Sequence, residues 1–499
     1  MRALLSVLAV LTLGCRPAAP ANTPVVRASS VTEAPTSGMG TPSGRPTAVH
    51  EGPVLPTREP KLGLVPTAAD FPAELRAAAD KLSAAALTRR RGYERLVTLS
   101  DRFGHRLSGS QALERAIDWT LAVMKEDGLV NVRREKVMVP RWVRGAERAR
   151  ITAPIQRDLV VLGLGGTVGT NGVLRGEIAV VSSLAEIATK GASLKGKIVV
   201  INQAMPAYDF EARQTGYGET VQIRTKGAIE AAKVGARAVL IRSVTASSLR
   251  TPHTGAMRYE DKVARIPAAA LTLEDAELLT RLAAQGKTTV ELSLGARTLP
   301  DSESGNAIGE IRGRELPDEV VVIGGHIDSW DVGDGSSDDG AGCVMAMDAA
   351  ALLLELGLVP RRTIRVVLFT NEENGLRGGK AYYEAHGKEK HAAAIESDSG
   401  AGAPQGFGVG GTVEQGVAVQ RYGPLFTALG ADKLTLGGGG ADIEPLARDG
   451  VLTLGLHPDN SMYFDLHHSP ADTVDKIDPV NVARNTAAMA LMAYILAER

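Results

Sequence analysis

Three apolar runs in the C-terminal half of the chain constrain its fold more than any other feature. EVVVIGG, TIRVVLFT and HAAAIESD are short, rich in β-branched or small apolar residues, and separated by stretches with helical character. Strands that alternate with helices form parallel sheets, because the crossover helix returns the chain to the edge where the next strand begins. We therefore predict an α/β fold with a mostly parallel central sheet flanked by helices.

Each of these predicted strands is followed by polar residues. His326 and Asp328 follow the first, Glu372 and Glu373 the second, and Asp398 the third. The carboxyl ends of parallel strands meet at one edge of the sheet, where ligands usually bind. Each cluster alone is typical of a solvated turn. Together they predict a site for Zn2+ or a similar divalent ion, which histidine and carboxylate ligands suit.

The stretch GGHIDSWDVGDGSSDDGAG adds Asp338 and Asp339 on the loop that leaves the same edge. Several shared carboxylates indicate two ions rather than one. Adjacent side chains on an extended backbone point in opposite directions. Of Glu372 and Glu373, one can therefore bind metal while the other faces the attacking water as a general base.

The bulk composition excludes several classes of partner. The 499 residues carry a formal net charge of -1, so there is no electrostatic footprint for nucleic acid and no basic patch for a membrane surface. A chain of this length is expected to form more than one domain. Its two cysteines are Cys15 and Cys343, and Cys343 lies in an apolar, predicted core helix, so no disulfide framework is expected.

The N-terminus has the pattern of an exported protein. MRALLSVLAVLTLGC has a short apolar run before Cys15, which is typical of a signal peptide over residues 1–14 and resembles a bacterial lipobox. Residues 15–66 are rich in Pro, Ala, Thr and Ser and predict a disordered linker behind a lipid anchor. We expect a lipoprotein of the bacterial cell envelope, or otherwise a secreted protein.

The middle of the chain predicts a separate module. Residues 148–297 contain short strand-like runs and two helical stretches, but no recurring pattern of acid, histidine or nucleophile. We interpret this segment as a smaller, non-catalytic α/β module inserted into a catalytic domain formed by residues 67–147 and 298–499.

Four motifs carry a resemblance to a known family. HIDSWDVGDGSSDDGAG, TNEENG, ESDSG and FDLHHSPADT occur in this order. Together they resemble the co-catalytic di-zinc exopeptidases, in particular the carboxypeptidase Q branch and bacterial di-zinc aminopeptidases. GGGGADIEPL and RFGHRLSGSQALERAIDW are similar to the same branch. The resemblance covers roughly residues 68–499, and within it residues 148–297 resemble a protease-associated domain.

The resemblance implies two Zn2+ per chain and a set of roles. The implied ligands are His326, Asp338, Glu373, Asp398 and His468. Asp338 would bridge both ions, and its peptide bond to Asp339 would be cis. Glu372 would be the general base. Asp328 would hydrogen-bond the far nitrogen of a zinc-bound histidine and so fix its tautomer.

One position departs from many relatives in this family. A tyrosine often precedes the last histidine and stabilises the oxyanion, but here that position is His467. His467 and Tyr463 remain equal candidates for the oxyanion donor. Asp442 and Tyr463 are candidates for substrate binding.

The implied activity is that of a zinc exopeptidase that removes an N-terminal residue from short peptides or splits dipeptides. A homodimer is compatible with the resemblance, and a membrane is expected only through the lipid anchor. Two other interpretations share the architecture: an inert, receptor-like binding protein, and an acyl transferase with one zinc like glutaminyl cyclase. The complete ligand set favours the peptidase over the inert binding protein. The inserted module favours the peptidase over the acyl transferase.

Overall fold

Two eight-stranded sheets organise the part of the chain that the computed structural model describes, residues 66–499. The predicted signal peptide, Cys15 and all of the predicted linker except Pro66 lie outside the described residues. The strands are β1 Val130–Val143, β2 Glu147–Ala153, β3 Arg157–Leu159, β4 Val161–Gly163, β5 Leu174–Val181, β6 Ile198–Ile201, β7 Ala238–Arg242, β8 Ala268–Leu271, β9 Thr289–Leu294, β10 Arg297–Ile311, β11 Leu316–His326, β12 Arg362–Phe369, β13 Lys390–Glu396, β14 Pro404–Val409, β15 Lys433–Leu436 and β16 Thr453–Pro458.

Helices cover both faces of the sheets. They are α1 Ala73–Ala86, α2 Arg91–Phe103, α3 Gln111–Glu126, α4 Leu184–Lys190, α5 Tyr217–Thr220, α6 Gln222–Lys233, α7 Leu273–Gln285, α8 Ala341–Glu355, α9 Arg377–His386, α10 Val413–Gln420, α11 Glu444–Arg448, α12 Tyr463–Leu466 and α13 Pro479–Glu498. Their ends follow local chemistry. Ser110 accepts a hydrogen bond from the backbone N–H of Leu113 at the start of α3, and Asp478 accepts one from Val480 at the start of α13.

The first sheet has the order β1-β10-β12-β11-β13-β16-β14-β15. Its centre, β12-β11-β13-β16, is parallel, as the alternation of strands and helices predicts. Four of its seven strand pairings are parallel, which confirms the expectation of a mostly parallel sheet, whereas β1 with β10, β10 with β12 and β14 with β16 pair antiparallel. None of the antiparallel pairs joins strands that are consecutive along the chain, whereas helical segments connect β11 to β12 and β14 to β15, which pair parallel.

The second sheet contains β2 to β9 in the order β3-β2-β9-β5-β6-β7-β8-β4. Its centre, β5-β6-β7-β8, is also parallel. Every one of its strands lies between Glu147 and Leu294, so this sheet forms from one continuous stretch of chain. The flanking β1 and β10 return to the first sheet and pair with each other there. We refer to this segment, from Glu147 to Leu294, as the inserted module.

The core of the first sheet is closed by two buried helices. α8 and α13 pack against each other and against the central strands, and Cys343 is buried within α8. Within residues 66–499, α13 is the one helix long and apolar enough to cross a membrane, but 83% of its apolar window is buried inside the fold. Such burial is typical of a core helix.

Candidate metal centre

The carboxyl ends of β11, β12 and β13 bring the predicted site residues together. His326 is the last residue of β11, Glu373 lies in the turn after β12, and Asp398 follows β13. Because these strands are parallel neighbours, the three side chains reach the same edge of the sheet. The loop that carries Asp338 starts from that edge, and the segment after α12 brings His468 to it.

One candidate ligand group consists of His326, Asp338 and Asp398. The Nε2 atom of His326 lies 3.3 Å from Asp338 Oδ1 and 3.5 Å from Asp398 Oδ1. The ligand atoms of this group all lie within 4.8 Å of one another, close enough to hold one cation. The Nδ1 atom of His326 is 3.0 Å from the carbonyl oxygen of Asp328, to which it donates, so Nε2 is left to face the carboxylates.

A second group shares Asp338. The Nε2 atom of His468 lies 3.1 Å from Asp338 Oδ2 and 3.0 Å from Glu373 Oε2. Asp338, His467 and His468 also have ligand atoms within 4.8 Å of one another, so His467 competes with Glu373 as the third ligand here. The two oxygens of Asp338 therefore face different histidines, as a bridging carboxylate requires.

Backbone hydrogen bonds fix the loop that presents Asp338. The carboxylate of Asp472 accepts hydrogen bonds from the backbone N–H groups of Ser337 and Asp338, at 2.7 and 3.1 Å. Asp339 accepts others from the backbone of His326 and Gly342. The peptide bond between Asp338 and Asp339 is cis, as the resemblance implies. The second Asp of the pair thus supports the loop while the first faces the histidines.

Arg106 holds the first half of the same loop. Its guanidinium is fully buried and donates to the carbonyl oxygens of Gly104, Ile327, Asp334 and Gly335. A planar fork with five N–H donors can serve four carbonyls at once, which a lysine cannot. Arg106 lies in the motif RFGHRLSGSQALERAIDW, but the sequence does not indicate that it binds these carbonyl oxygens.

Asp328 supports the site differently from the expectation. Its backbone carbonyl, not its carboxylate, accepts from His326, since the carboxylate Oδ1 is 3.8 Å from Nδ1. The carboxylate instead accepts from the backbone N–H of Glu372 at 3.0 Å and from the hydroxyl of Ser108 at 3.3 Å. Glu372 and Glu373 lie in a turn rather than on extended backbone. Their different environments follow from this anchored turn, not from strand alternation.

Burial and like charge set the electrostatics of the carboxylates. Burial raises the pKa of Glu372 well above its ordinary value, and Asp398 and Glu373 raise it further. The pKa of Glu373 is raised to about 7, chiefly by burial and then by Asp338. Burial opposes ionisation of Asp338 too, but its hydrogen bonds with His326 and His468 hold its pKa well below the usual range. So many buried acids in one place favour a bound cation.

The remaining predicted residues lie at the edges of this cluster. His467 stacks on His468 with ring centroids 3.4 Å apart, and its Nε2 is 3.7 Å from Asp338 Oδ2. The hydroxyl of Tyr463 lies 3.5 Å from Asp398 Oδ1. Asp442 is buried behind the site, where its carboxylate accepts a hydrogen bond from the backbone N–H of Gly379.

The inserted module contributes residues that the sequence did not indicate. Arg224 on α6 has Nη1 3.2 Å from His468 Nδ1, and the carbonyl oxygen of Thr254 lies 3.3 Å from that same nitrogen. His253 Nδ1 lies 2.7 Å from the carbonyl oxygen of His467. The histidine pair is therefore held from behind by the module.

A cavity of about 530 Å3 opens over the site. The first sheet contributes Asp338, Glu372, Glu373 and Asp398 to its lining, and the inserted module contributes Tyr217, Arg224 and the segment from Ala256 to Arg258. Its size is ordinary for a site that binds a small ligand.

Comparisons with known proteins agree with this arrangement. Residues 306–493 match the sequence model of peptidase family M28. Carboxypeptidase Q of Mus musculus is 42% identical over 412 residues, which cover 82% of this chain and 86% of that protein. Carboxypeptidase Q of Homo sapiens is 40% identical, with 82% and 85% covered.

Solved structures share the fold. The crystal structure of a peptidase M28 precursor from Shewanella amazonensis superposes with a TM-score of 0.81 at 37% identity, and covers 85% of this chain and 97% of that one. A zinc aminopeptidase from Bacillus subtilis superposes with a TM-score of 0.62 at 20% identity, with 82% and 95% covered. At that identity the likeness shows the fold alone.

Proposed function

Because the chain belongs to peptidase family M28 and is a metallo-exopeptidase related to carboxypeptidase Q, we propose that it hydrolyses the N-terminal peptide bond of dipeptides or short peptides, with two Zn2+ per chain. The observation that carries this proposal is the shared Asp338. Its two carboxylate oxygens face His326 and His468, and each histidine also faces a second carboxylate.

The residues present fit two zinc ions. His326 and Asp398 would hold one ion, His468 and Glu373 the other, and Asp338 both. Buried nitrogen and carboxylate donors are the ligands zinc prefers. Among the described residues, the buried Oε1 atom of Glu373 accepts no hydrogen bond, so a cation would satisfy an atom that otherwise has no partner.

Glu372 is the proposed general base. When bound, the ions would polarise the peptide carbonyl and lower the pKa of a water molecule. Glu372 lies in the cavity wall, and its backbone is fixed by the carboxylate of Asp328. Its raised pKa makes its carboxylate a stronger base than that of an ordinary glutamate, so it can take a proton from the attacking water and deliver it to the nitrogen of the leaving amine.

The shape of the cavity supports a short substrate. The inserted module, which we interpret as a protease-associated domain, forms one wall of a space of about 530 Å3. A wall of this kind restricts the length of peptide that can reach the metal ligands. We also propose that the protein is exported and held at the cell envelope by lipid on Cys15, and that no nucleic acid takes part.

The test is the release of free amine from a panel of dipeptides and from their N-acetylated forms, with and without a chelator. We expect chelator-sensitive cleavage of the free forms only, because the substrate amine lies near the metal ligands. No cleavage of any peptide by the zinc-loaded protein would contradict the proposal. It would favour the inert, binding-only alternative, whereas cyclisation of N-terminal glutamine would favour the acyl transferase.

A further inference from the structure

The oxyanion donor is the one part of this mechanism for which the sequence left two candidates. When water adds to the scissile carbonyl, the carbonyl π electrons move onto oxygen, and the negative charge needs a hydrogen-bond donor. The position that carries a tyrosine in many relatives is His467 here. Tyr463 and His467 both line the cavity, so the contacts that each one makes bear on which residue can donate to the oxyanion.

The two candidates from the sequence both have other engagements. The hydroxyl of Tyr463 lies 3.5 Å from Asp398 Oδ1 and faces that proposed ligand as a donor. The Nε2 atom of His467 is 3.7 Å from Asp338 Oδ2, and the ring is stacked flat on His468. Each side chain therefore places its polar atom next to a proposed metal ligand.

Tyr217, the first residue of α5 in the inserted module, also lines the cavity, together with Asp338 and Glu373. Its ring stacks on Phe464 with centroids 4.3 Å apart, and it meets His467 edge-on at 5.3 Å. Both of these neighbours come from the segment that leads to His468. The phenol ring is therefore fixed against the same segment that presents a proposed metal ligand.

The Tyr217 hydroxyl accepts a hydrogen bond from an arginine and keeps its own proton available to donate. The Nη2 atom of Arg224 donates to the phenol oxygen at 2.7 Å, while Nη1 of the same guanidinium lies 3.2 Å from His468 Nδ1. The same guanidinium therefore contacts both the phenol oxygen and His468, a proposed metal ligand. Among residues 66–499, no acceptor lies in hydrogen-bond range for the Tyr217 proton. A hydroxyl that accepts from a cation becomes a stronger donor through polarisation.

We propose that Tyr217 is a catalytic residue that donates a hydrogen bond to the oxyanion, and that Arg224 is its positioning residue. This inference rests on the proposed peptidase function. The Tyr217 proton stays on the phenol throughout. When the carbon–nitrogen bond breaks, the electron pair on the oxyanion restores the carbonyl, and the nitrogen receives its proton from Glu372. A residue of the inserted module would then take part in the chemistry.

The test compares Tyr217→Phe with Tyr463→Phe and with Tyr383→Phe, whose hydroxyl bonds Asp449 outside the cavity and serves as a control. We expect Y217F to lower kcat by about 100-fold to 1,000-fold, with KM nearly unchanged and two zinc ions retained. Its affinity for a phosphinic dipeptide analogue, whose P–O group mimics the oxyanion, should fall by a similar factor in calorimetry. Y383F should match the wild type.

Three results would overturn the inference while leaving the peptidase function intact. They are a Y217F variant with wild-type kcat, a Y217F variant in which only KM rises, and a selective loss of kcat in Y463F instead. A wild-type protein that cleaves no peptide would instead remove the proposed function, and this inference with it.

Arg224 is tested by rescue. Lysine keeps a cationic donor whereas methionine does not, so Arg224→Lys should retain more kcat than Arg224→Met. In a Y217F background, R224M should cost less kcat than it does in the wild type, because the part of its effect that acts through Tyr217 is already lost and only its contact with His468 remains. An equal loss of kcat in both backgrounds would contradict the positioning role.

Discussion

Glu372 and Glu373 are neighbours in the chain, but the fold gives them surroundings that fit different proposed tasks. Glu373 is buried, with Oε2 3.0 Å from His468 Nε2 and Oε1 without a hydrogen-bond partner among the described residues. Glu372 is less buried, lies in the cavity wall and is tied to the scaffold through its backbone N–H and Asp328. Both residues line the cavity, but the carboxylate of Glu373 lies against a histidine.

Neutral variants of the two residues should separate these tasks. Glu372→Gln should lower kcat by about 100-fold to 10,000-fold with zinc content unchanged, because only proton transfer is removed. Glu373→Gln should lose zinc as well, since it removes a proposed ligand. Zinc content by atomic spectroscopy and kcat on a dipeptide check both expectations. The roles would be wrong if E372Q lost metal and E373Q kept two ions.

His386 joins three parts of the structure around the first sheet. It is the last residue of α9, and its Nε2 lies 2.9 Å from Glu135 on β1. Its Nδ1 lies 2.6 Å from Glu389, just before β13, and Glu389 also bonds Arg365 on β12. The hydrogen bond with Glu135, opposed by burial and aided by Glu389, raises the pKa of His386 above its ordinary value of 6.5.

Histidine 386 should therefore stabilise the fold in a pH-dependent way. A raised folded-state pKa means that the contribution is complete below pH 6.5 and is lost as pH rises through the folded value. We expect His386→Gln to cost about 1–3 kcal/mol at about pH 5.5 and less at about pH 8.5, measured by urea unfolding.

The matched control for His386 removes its partners. In an E135Q/E389Q background, H386Q should cost the same free energy of unfolding at both pH values. A cost of H386Q in the wild-type background that did not change with pH would contradict the role of the charged cluster.

The site concentrates buried acids where the two sheets meet. Burial, the largest influence on each, raises the pKa values of Glu373, Glu396 and Asp472 to about 7. Residues of the inserted module cover this cluster, through Arg224 at His468 and His253 at the backbone of His467. Bound zinc would balance the charge of the acids.

Chelation should therefore lower stability, and more so at higher pH. A carboxyl whose pKa is raised in the folded state binds more protons when folded than when unfolded. Folding raises the pKa of Glu373 from its ordinary value of 4.5 to about 7, so stability falls as pH rises through this range. We expect the chelated protein to lose thermal stability between about pH 5 and about pH 8, while the zinc-loaded protein changes less.

The magnitude of the chelation effect follows from mass action. At free zinc about a thousand times above Kd, the loaded form gains about 4 kcal/mol over the metal-free form. Scanning calorimetry with chelator, and then with zinc restored, measures it. Identical pH profiles for the loaded and the chelated protein would contradict this account of the acidic cluster.

The sequence was sufficient for the features that depend on local pattern. Strand–helix alternation predicts the parallel centre of the first sheet, and the residues after each strand predict the edge where His326, Asp338 and Asp398 meet. Caps such as Asp478 are also local, since the bond to Val480 spans two residues. Such features follow from residue type and spacing, which a sequence displays directly.

Only the tertiary structure decided which groups meet across the molecule. Arg224 and His468 are 244 residues apart, and the contact exists because the inserted sheet packs over the edge of the first. The antiparallel flanks of the first sheet and the four carbonyls bound by Arg106 likewise depend on strand order and loop path. Periodicity records the face that a residue buries but not the partner it meets there. Tyr217 therefore has no local signal in the sequence, and its place beside the proposed zinc ligands is a property of the fold.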